Sequence, residues 1–315
     1  MSLEARRGAS VALRAPEPSE LAALQAIWDA SSREDDPAPW PGDDRGLALS
    51  SWPSETRAVL VDGQAVGVVA VRAEAAPDGG MPARVALAPE ARQAANARAL
   101  VDGVVEVVRA AGGSVARVFA LGGSTWLVPV LRSAGFQHVR TIAHMLLAAD
   151  APTPDVRPSE DWRLRAMSPG EDAEVLAALN RNWAGTWNFV EITPEMLQAD
   201  LDGQREGMLL GVTDEDRIIA TCHAMFDERT HNPDGAPHAW ISNVTTDPAF
   251  RGRGIARAML AAGIRHLRAR GATSVTLGVD ADDPAPFRLY QSVGFQIASR
   301  LEAWDAPVSP TGRPR

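Results

Sequence analysis

From residue 160 to 305 the apolar positions switch between a period of two and a period near 3.6, and each switch marks an element. Trp162 to Ala166 reads as a strand. Ser168-Pro169-Gly170-Glu171 opens a helix with an N-cap residue, a proline at the first position and an acid in the first turn, and Leu176, Leu179 and Trp183 recur along it at helical spacing. A second helix starts at Thr193-Pro194-Glu195-Met196. Met208 to Thr213 and Ile218 to Phe226 are strand-like runs joined by the polar Asp214-Glu215-Asp216, a hairpin signal. A loop over 227–237 leads to a strand over His238 to Thr246 and a turn over Asp247 to Gly254. Ile255, Met259, Leu260, Ile264 and Leu267 then form one apolar helical face ending near Gly271. Val275 to Val279 reads as a strand, Pro284 to Val293 as a short helix and Phe295 to Trp304 as a last strand. This order combines antiparallel hairpins with one β-α-β crossover, which predicts an α+β fold with a mixed, mostly antiparallel sheet of about seven strands flanked by helices.

The first half of the chain repeats the second. Pro89 and Arg92 fall under Pro248 and Arg251 at an offset of 159, and at that offset Ala97-Arg98-Ala99 meets Ala256-Arg257-Ala258, Gly112 meets Gly271, and Ser133 to Gln137 meets Ser292 to Gln296. Upstream the offset drifts to 153, where Asp62 to Gly67 meets Glu215 to Ala220, and to 151, where Leu13-Arg14-Ala15 meets Leu164-Arg165-Ala166. The proline-rich stretch between the copies predicts domains over 1–150 and 160–306, a linker over 151–159 and a disordered tail over 307–315.

Composition narrows the chemistry. The chain has 315 residues, enough for two ordinary cores, and a formal charge of −9, which argues against a nucleic-acid partner. All 31 Lys and Arg residues are arginine, so Schiff-base and P-loop lysine chemistry are excluded. Cys222, the only cysteine, cannot form an intramolecular disulfide or a thiolate metal cluster, and no metal is expected. Arg6 and Arg7 precede no apolar run, and no window approaches a membrane span, so a soluble cytoplasmic protein is expected.

The chemistry concentrates at Arg251-Gly252-Arg253-Gly254-Ile255-Ala256, between a strand and a helix. Glycines there let the backbone approach a ligand, and the amides at the helix start make an anion site suited to a pyrophosphate. A nicotinamide-binding turn is the competing reading, but Arg257 occupies its third glycine position. Arg-x-x-Gly-x-Ala, followed by Leu289-Tyr290-Gln291-Ser292-Val293-Gly294-Phe295, resembles the GNAT superfamily of acyl-CoA-dependent N-acetyltransferases, and the resemblance covers residues 160–305. The two-copy layout is similar to tandem GNAT proteins such as the mycothiol synthases.

The resemblance implies an acetyl-CoA-dependent N-acetyltransferase. The strand at Val244, Thr245 and Thr246 would pair with the pantetheine arm, and the loop from Arg251 through Gly252, Arg253, Gly254 and Ile255 to Ala256 would cradle the pyrophosphate. A backbone N–H near Val244 would polarise the thioester, and Tyr290, the only tyrosine, would protonate the leaving thiolate. Asp283 stands where the family often has asparagine. Trp240 stands where mycothiol synthases carry a glutamate, which leaves His238, Glu228, Asp227, Glu191 or solvent as the base, with His238 on the same strand face as Trp240. Trp183, Trp187, Asn188, Phe189 and Glu191 are candidates for binding a small-molecule amine. A non-catalytic acyl-CoA-binding module is the alternative.

In the first copy the loop is Arg92-Gln93-Ala94-Ala95-Asn96-Ala97 and Leu131 lies under Tyr290. Both glycines and the acid are missing, so this copy is expected to be structural or substrate-shaping.

Overall fold

The computed structural model describes residues 11–35, 54–72, 74–155, 158, 161–231 and 237–309; of Ser54, residues 229–231 and His238 it describes the backbone alone. The first repeat contains β1 (Val11–Arg14), α1 (Leu21–Asp35), β2 (Ser54–Val61), β3 (Gln64–Arg72), β4 (Gly80–Leu87), α2 (Ala94–Ala110), β5 (Val115–Leu121), α3 (Leu127–Ser133) and β6 (Gln137–Leu147). The second contains β7 (Arg163–Ala166), α4 (Asp172–Trp183), α5 (Pro194–Leu201), β8 (Met208–Val212), β9 (Ile218–His231), β10 (Pro237–Thr246), α6 (Ile255–Ala269), β11 (Val275–Asp280), α7 (Pro284–Val293) and β12 (Gln296–Pro307). The fold is α+β.

The repeat extends to individual hydrogen bonds. In the first copy Arg14 pairs with Glu20, whose carboxylate also accepts the Glu17 amide at 2.8 Å; in the second, Arg165 pairs with Glu171, which accepts the Ser168 amide at 2.6 Å. Each set joins the first strand of its repeat to the start of the following helix. Ser168 is not the N-cap that the sequence suggested. Gly170, at φ +88°, turns the chain so that α4 begins at Asp172, and the Glu171 carboxylate closes the turn instead.

Packing does not follow the repeat boundaries. One compact unit takes Ser299 onward together with the first repeat as far as Thr141, and the other runs from Ile142 to Ala298. In the first unit the sheet order is β1-β2-β3-β4-β5-β12, with Leu301 opposite Leu121 and Pro307 opposite Val115. In the second it is β7-β8-β9-β10-β11-β6, with Val275 opposite Leu147 and Asp280 opposite Ile142. Each sheet therefore has six described strands and takes its last strand from the other repeat. Two strands at matching places in the repeat and of similar length satisfy the same antiparallel edge.

The boundary of the tail also differs from the sequence reading. Val308, placed in a disordered tail, is 3% exposed and donates its amide to the Ser114 carbonyl at 2.8 Å; residues 310–315 lie outside the described residues. Among the linker residues, Ala151 and Pro154 accept from Arg268 and Arg265 of α6 at 2.6 and 3.1 Å, so guanidinium groups hold this stretch against the helix. Both faces of the second unit's sheet are covered. Ile219, Ala224, Ile241, Met259, Ile264 and Leu277 lie in one apolar cluster, and Val175, Leu179, Leu197, Met208 and Leu210 lie in another. Cys222 is fully buried in the first of these, and burial pushes its thiol up to about 12, so it stays a neutral apolar residue.

Candidate active site

The loop before α6 is built from backbone conformation rather than packing. Pro248–Phe250 forms a 3-10 turn capped by Asp247, whose carboxylate accepts the Ala249 amide at 2.9 Å. Arg251 is extended, then Gly252 and Gly254 adopt φ +78° and +76°, and α6 begins at Ile255. A Cβ on either glycine would meet nothing within 4 Å, so the fold requires their left-handed conformation and not their small size. That shape leaves a helix start with open space before it, and the positive end of a 15-residue helix lies beneath.

The first copy shows what the loop becomes without glycine. Gln93 is extended at φ −90°, and α2 starts at Ala94, so residues under Arg253 and Gly254 are already helical. Their amides enter helix geometry instead of forming an open turn. Leu131, under Tyr290, is completely buried and apolar.

Arg251 has a role the sequence did not show. Its guanidinium donates to the Asn182 carbonyl at 3.2 Å and to the Thr246 carbonyl at 3.3 Å. In the first copy Arg92 donates to the Ser31 carbonyl at 3.3 Å, and Ser31 sits under Asn182 at the offset of 151 fixed by Arg14 and Arg165. An arginine kept in both loops, with glycines in only one, acts as a clamp between the loop and the first helix of its repeat. Arg253 instead lies over the Phe250 ring at 5.1 Å, facing it from the loop, and Arg217 lies over the same ring at 5.4 Å. Asp247 accepts Arg181 at 3.0 Å and Arg217 at 2.6 Å; burial opposes its charge, but the Ala249 amide and the two guanidinium groups hold its carboxyl below the usual range. The Asp-Pro pair was the sequence signal for this organising residue.

Val244, Thr245 and Thr246 form the end of β10. The parallel pairing of β10 with β11 is Trp240 opposite Thr276, and from Ile241 onward β10 pairs with β9 alone. Two strands that part after one pair leave a wedge between them. On the other side, Ser242 faces His223 and Thr245 faces Thr221, so Asn243 and Val244 together oppose Cys222 in a β-bulge, with Asn243 at φ +49°. The Trp183 indole donates to the Asn243 side-chain oxygen at 3.2 Å.

Tyr290 lies on α7, 7% exposed, its ring edge-on to Phe295 at 6.1 Å between centroids. Burial raises the phenol above its ordinary value, and the nearby Cys222 adds to the shift, so the hydroxyl remains a proton donor. Asp283 caps α7 by accepting the Ala285 amide at 3.1 Å, a fold role that explains a carboxylate there. His238 is on β10 with its backbone opposite Asp227, and its side chain lies outside the described residues. Asp227 is buried, whereas Glu228 and Glu191 are exposed. Trp187, Asn188 and Phe189 are half-buried in the connection from α4 to α5, with Asn188 at φ +52°. Within this unit the structure brings Trp183 to the bulge through its bond to Asn243, and ties Arg251 to α4 through the Asn182 carbonyl.

Residues 173–295 match the acetyltransferase (GNAT) family. A mycothiol acetyltransferase of Nocardiopsis dassonvillei is 32% identical over 273 residues, covering 78% of each chain, and one of Thermobifida fusca is 30% identical over 253 residues, covering 75% of this chain and 76% of its own. A GCN5-related N-acetyltransferase of Sphaerobacter thermophilus superposes with a TM-score of 0.74 over 95% of this chain and 96% of its own at 22% identity. A tandem GNAT protein from the clavulanic acid biosynthesis pathway does so with a TM-score of 0.68 over 96% and 100% at 15% identity. The chain belongs to the GNAT family of acetyltransferases. It transfers an acetyl group from acetyl-CoA to an amine, and nothing supports the non-catalytic alternative. Among the described residues no helix is long and apolar enough to cross a membrane.

Proposed function

We propose that the second repeat binds one acetyl-CoA per chain and that the first binds none. The observation that carries this reading is the pair of left-handed glycines, Gly252 and Gly254, before α6, against a helix that begins at Ala94 in the first copy. The pyrophosphate lies on the amides of Gly252 to Ala256, and the pantetheine arm runs along Val244 to Thr246 into the wedge between β10 and β11. The acceptor nitrogen attacks the thioester carbon, and the N–H of Val244 takes charge developing on the oxygen. As the intermediate collapses, the C–S bond breaks, the electron pair leaves on sulfur and Tyr290 supplies its proton. The ammonium proton of the acceptor passes to His238 or to solvent.

Trp183, Trp187, Asn188, Phe189 and Glu191 frame the acceptor. The relatives' name makes a mycothiol-related amine the first acceptor to test; Trp240, which cannot take a proton, requires a base elsewhere on the site. The first repeat serves as a structural partner, and the compartment is the cytoplasm. The test is thiol release from acetyl-CoA against a mycothiol-related amine, amino sugars, polyamines, amino acids and aminoglycosides. Acceptor-dependent release by one class supports the reading, and absence of acetyl-CoA binding to the intact chain refutes it.

A further inference from the structure

The tandem repeat provides an internal control, since residues needed for the fold alone recur in both copies. The Arg-Glu pair at the first helix and the arginine clamp do so. One buried polar group does not. In the second repeat the Asn182 amide donates to the Thr245 hydroxyl at 2.9 Å, the Thr245 and Thr221 hydroxyls are 2.7 Å apart, and the Thr221 hydroxyl donates to the Asn243 carbonyl at 2.7 Å. Asn182 is 2% exposed, Thr221 is fully buried and Thr245 is 5% exposed.

The direction of this chain follows from its ends. A carbonyl only accepts, so the Thr221 proton is committed to Asn243. Thr245 must then donate to Thr221, and it receives from the Asn182 amide, which has no acceptor capacity at nitrogen. Three hydrogen bonds thus run one way, from α4 through β10 and β9 to the Asn243 carbonyl. That carbonyl belongs to the same peptide group as the Val244 N–H. A hydrogen bond accepted at the carbonyl oxygen polarises the whole amide, and bonds in series reinforce one another.

In the first repeat Val68 faces Ala86 across the strands, as Thr221 faces Thr245 in the second, and Ser31 takes the place of Asn182. Val68 and Ala86 belong to an apolar cluster with Leu24 and Trp28. The pairing of β3 with β4 runs from Gly67 to Val71 without a register shift, so the bulge is missing as well. The polar chain, the bulge and the glycine loop occur together in one copy and are absent together from the other. Burying two threonine hydroxyls where a valine and an alanine suffice is a cost to stability that the fold does not require, and the third position is polar in both copies, Asn182 in one and the 2% exposed Ser31 in the other.

We infer that Asn182, Thr245 and Thr221 are positioning residues that fix and polarise the Asn243–Val244 peptide, so that the Val244 N–H is a stronger donor to the thioester carbonyl. This rests on the reading that places the acyl group at the bulge. It assigns no side-chain contact with substrate to the three residues, the pantetheine arm along Val244 to Thr246 being paired with backbone; their side chains act through the Asn243–Val244 peptide.

The test imports the first repeat's residues, which the same fold already accommodates. Thr221→Val removes the last link, Thr245→Ala the middle one and Asn182→Ser the first. In the full-length protein, isotope-edited infrared spectroscopy of bound [1-13C]acetyl-CoA reads the carbonyl directly and needs no acceptor. The wild type is expected to lower the stretching frequency relative to free acetyl-CoA. Thr221→Val should return it most of the way and Asn182→Ser least, with the dissociation constant for CoA unchanged within about twofold. With an acceptor in hand, kcat should fall about tenfold in Thr221→Val, a fraction of the loss when an oxyanion donor is removed outright. Variants that melt earlier but keep the wild-type carbonyl frequency would show a purely structural network and overturn the inference. A wild-type frequency equal to that of free acetyl-CoA would overturn it too. Failure of the wild type to bind acetyl-CoA at all would instead defeat the underlying reading; if Thr245→Ala does not fold, the comparison of Thr221→Val with Asn182→Ser still decides.

Discussion

Substituting Gly254 by alanine places a Cβ on a residue at φ +76° with nothing within 4 Å, so the penalty is conformational and not steric. An L-residue in the left-handed region costs about 1–2 kcal/mol relative to glycine. That cost appears in one of two places. If the loop keeps its shape, the protein loses about 1–2 kcal/mol of stability, which for a unit of this size lowers Tm by about 2–8 °C. If the loop instead relaxes, the shape must be restored on binding, and CoA affinity falls by about 5- to 30-fold at 1.4 kcal/mol per tenfold. Thermal melts and calorimetric titration with CoA should therefore show the total divided between them. Gly254→Asn should recover part of it, since asparagine tolerates this region. Gln93→Gly, at the matching loop of the first repeat, should change neither quantity by more than a few tenths of a kcal/mol beyond the helix-end propensity of glycine. Unchanged Tm and unchanged affinity in Gly254→Ala, or an equal affinity change in Gln93→Gly, would refute the placement of the pyrophosphate.

Tyr290→Phe should lower kcat and kcat/KM together by about 10²- to 10⁴-fold while acetyl-CoA affinity stays within a few-fold; unchanged kcat would mean that the thiolate leaves without this proton. Because burial raises the phenol, the wild-type rate should show no loss of acid as pH rises to 10, and a basic limb below that would contradict the assignment. Native mass spectrometry should find one acetyl-CoA per chain, and two comparable sites would rule out the non-binding first repeat. Asp247 has a lower pKa folded than unfolded, so on acidification the unfolded chain takes up the proton first and stability is lost as pH falls below the carboxylate range. Asp247→Asn should melt earlier at pH 7 and flatten that acid dependence, read from Tm between pH 7 and 3. Arg92→Met leaves Asp35, 5% exposed in its side chain, without the guanidinium at 3.0 Å and should cost about 3–5 kcal/mol with CoA binding unaffected.

The sequence by itself determined what depends on neighbours along the chain. Apolar periodicity marked most elements, including α6 from Ile255 and the hairpin at Asp214 to Asp216, because a helix or strand needs only a continuous face to bury. The two glycines before α6 and their loss in the first copy were equally legible, since a left-handed turn is a property of single residues. Tertiary structure decided what depends on register and on edges. The last strands of the two repeats begin at matching residues, Gln137 and Gln296, and are similar in length, and only packing assigned β6 and β12 to each other's sheets. Arg251 read as part of a motif, and only the fold showed its bond to the Asn182 carbonyl, because a long guanidinium side chain reaches a carbonyl at the end of a helix that is distant in sequence. Thr221, Thr245 and Asn182 stand up to 63 residues apart and carried no shared signal. They meet because strand pairing sets the two threonines side by side and α4 ends above them, and a cross-strand neighbour is fixed by register, which no local pattern encodes.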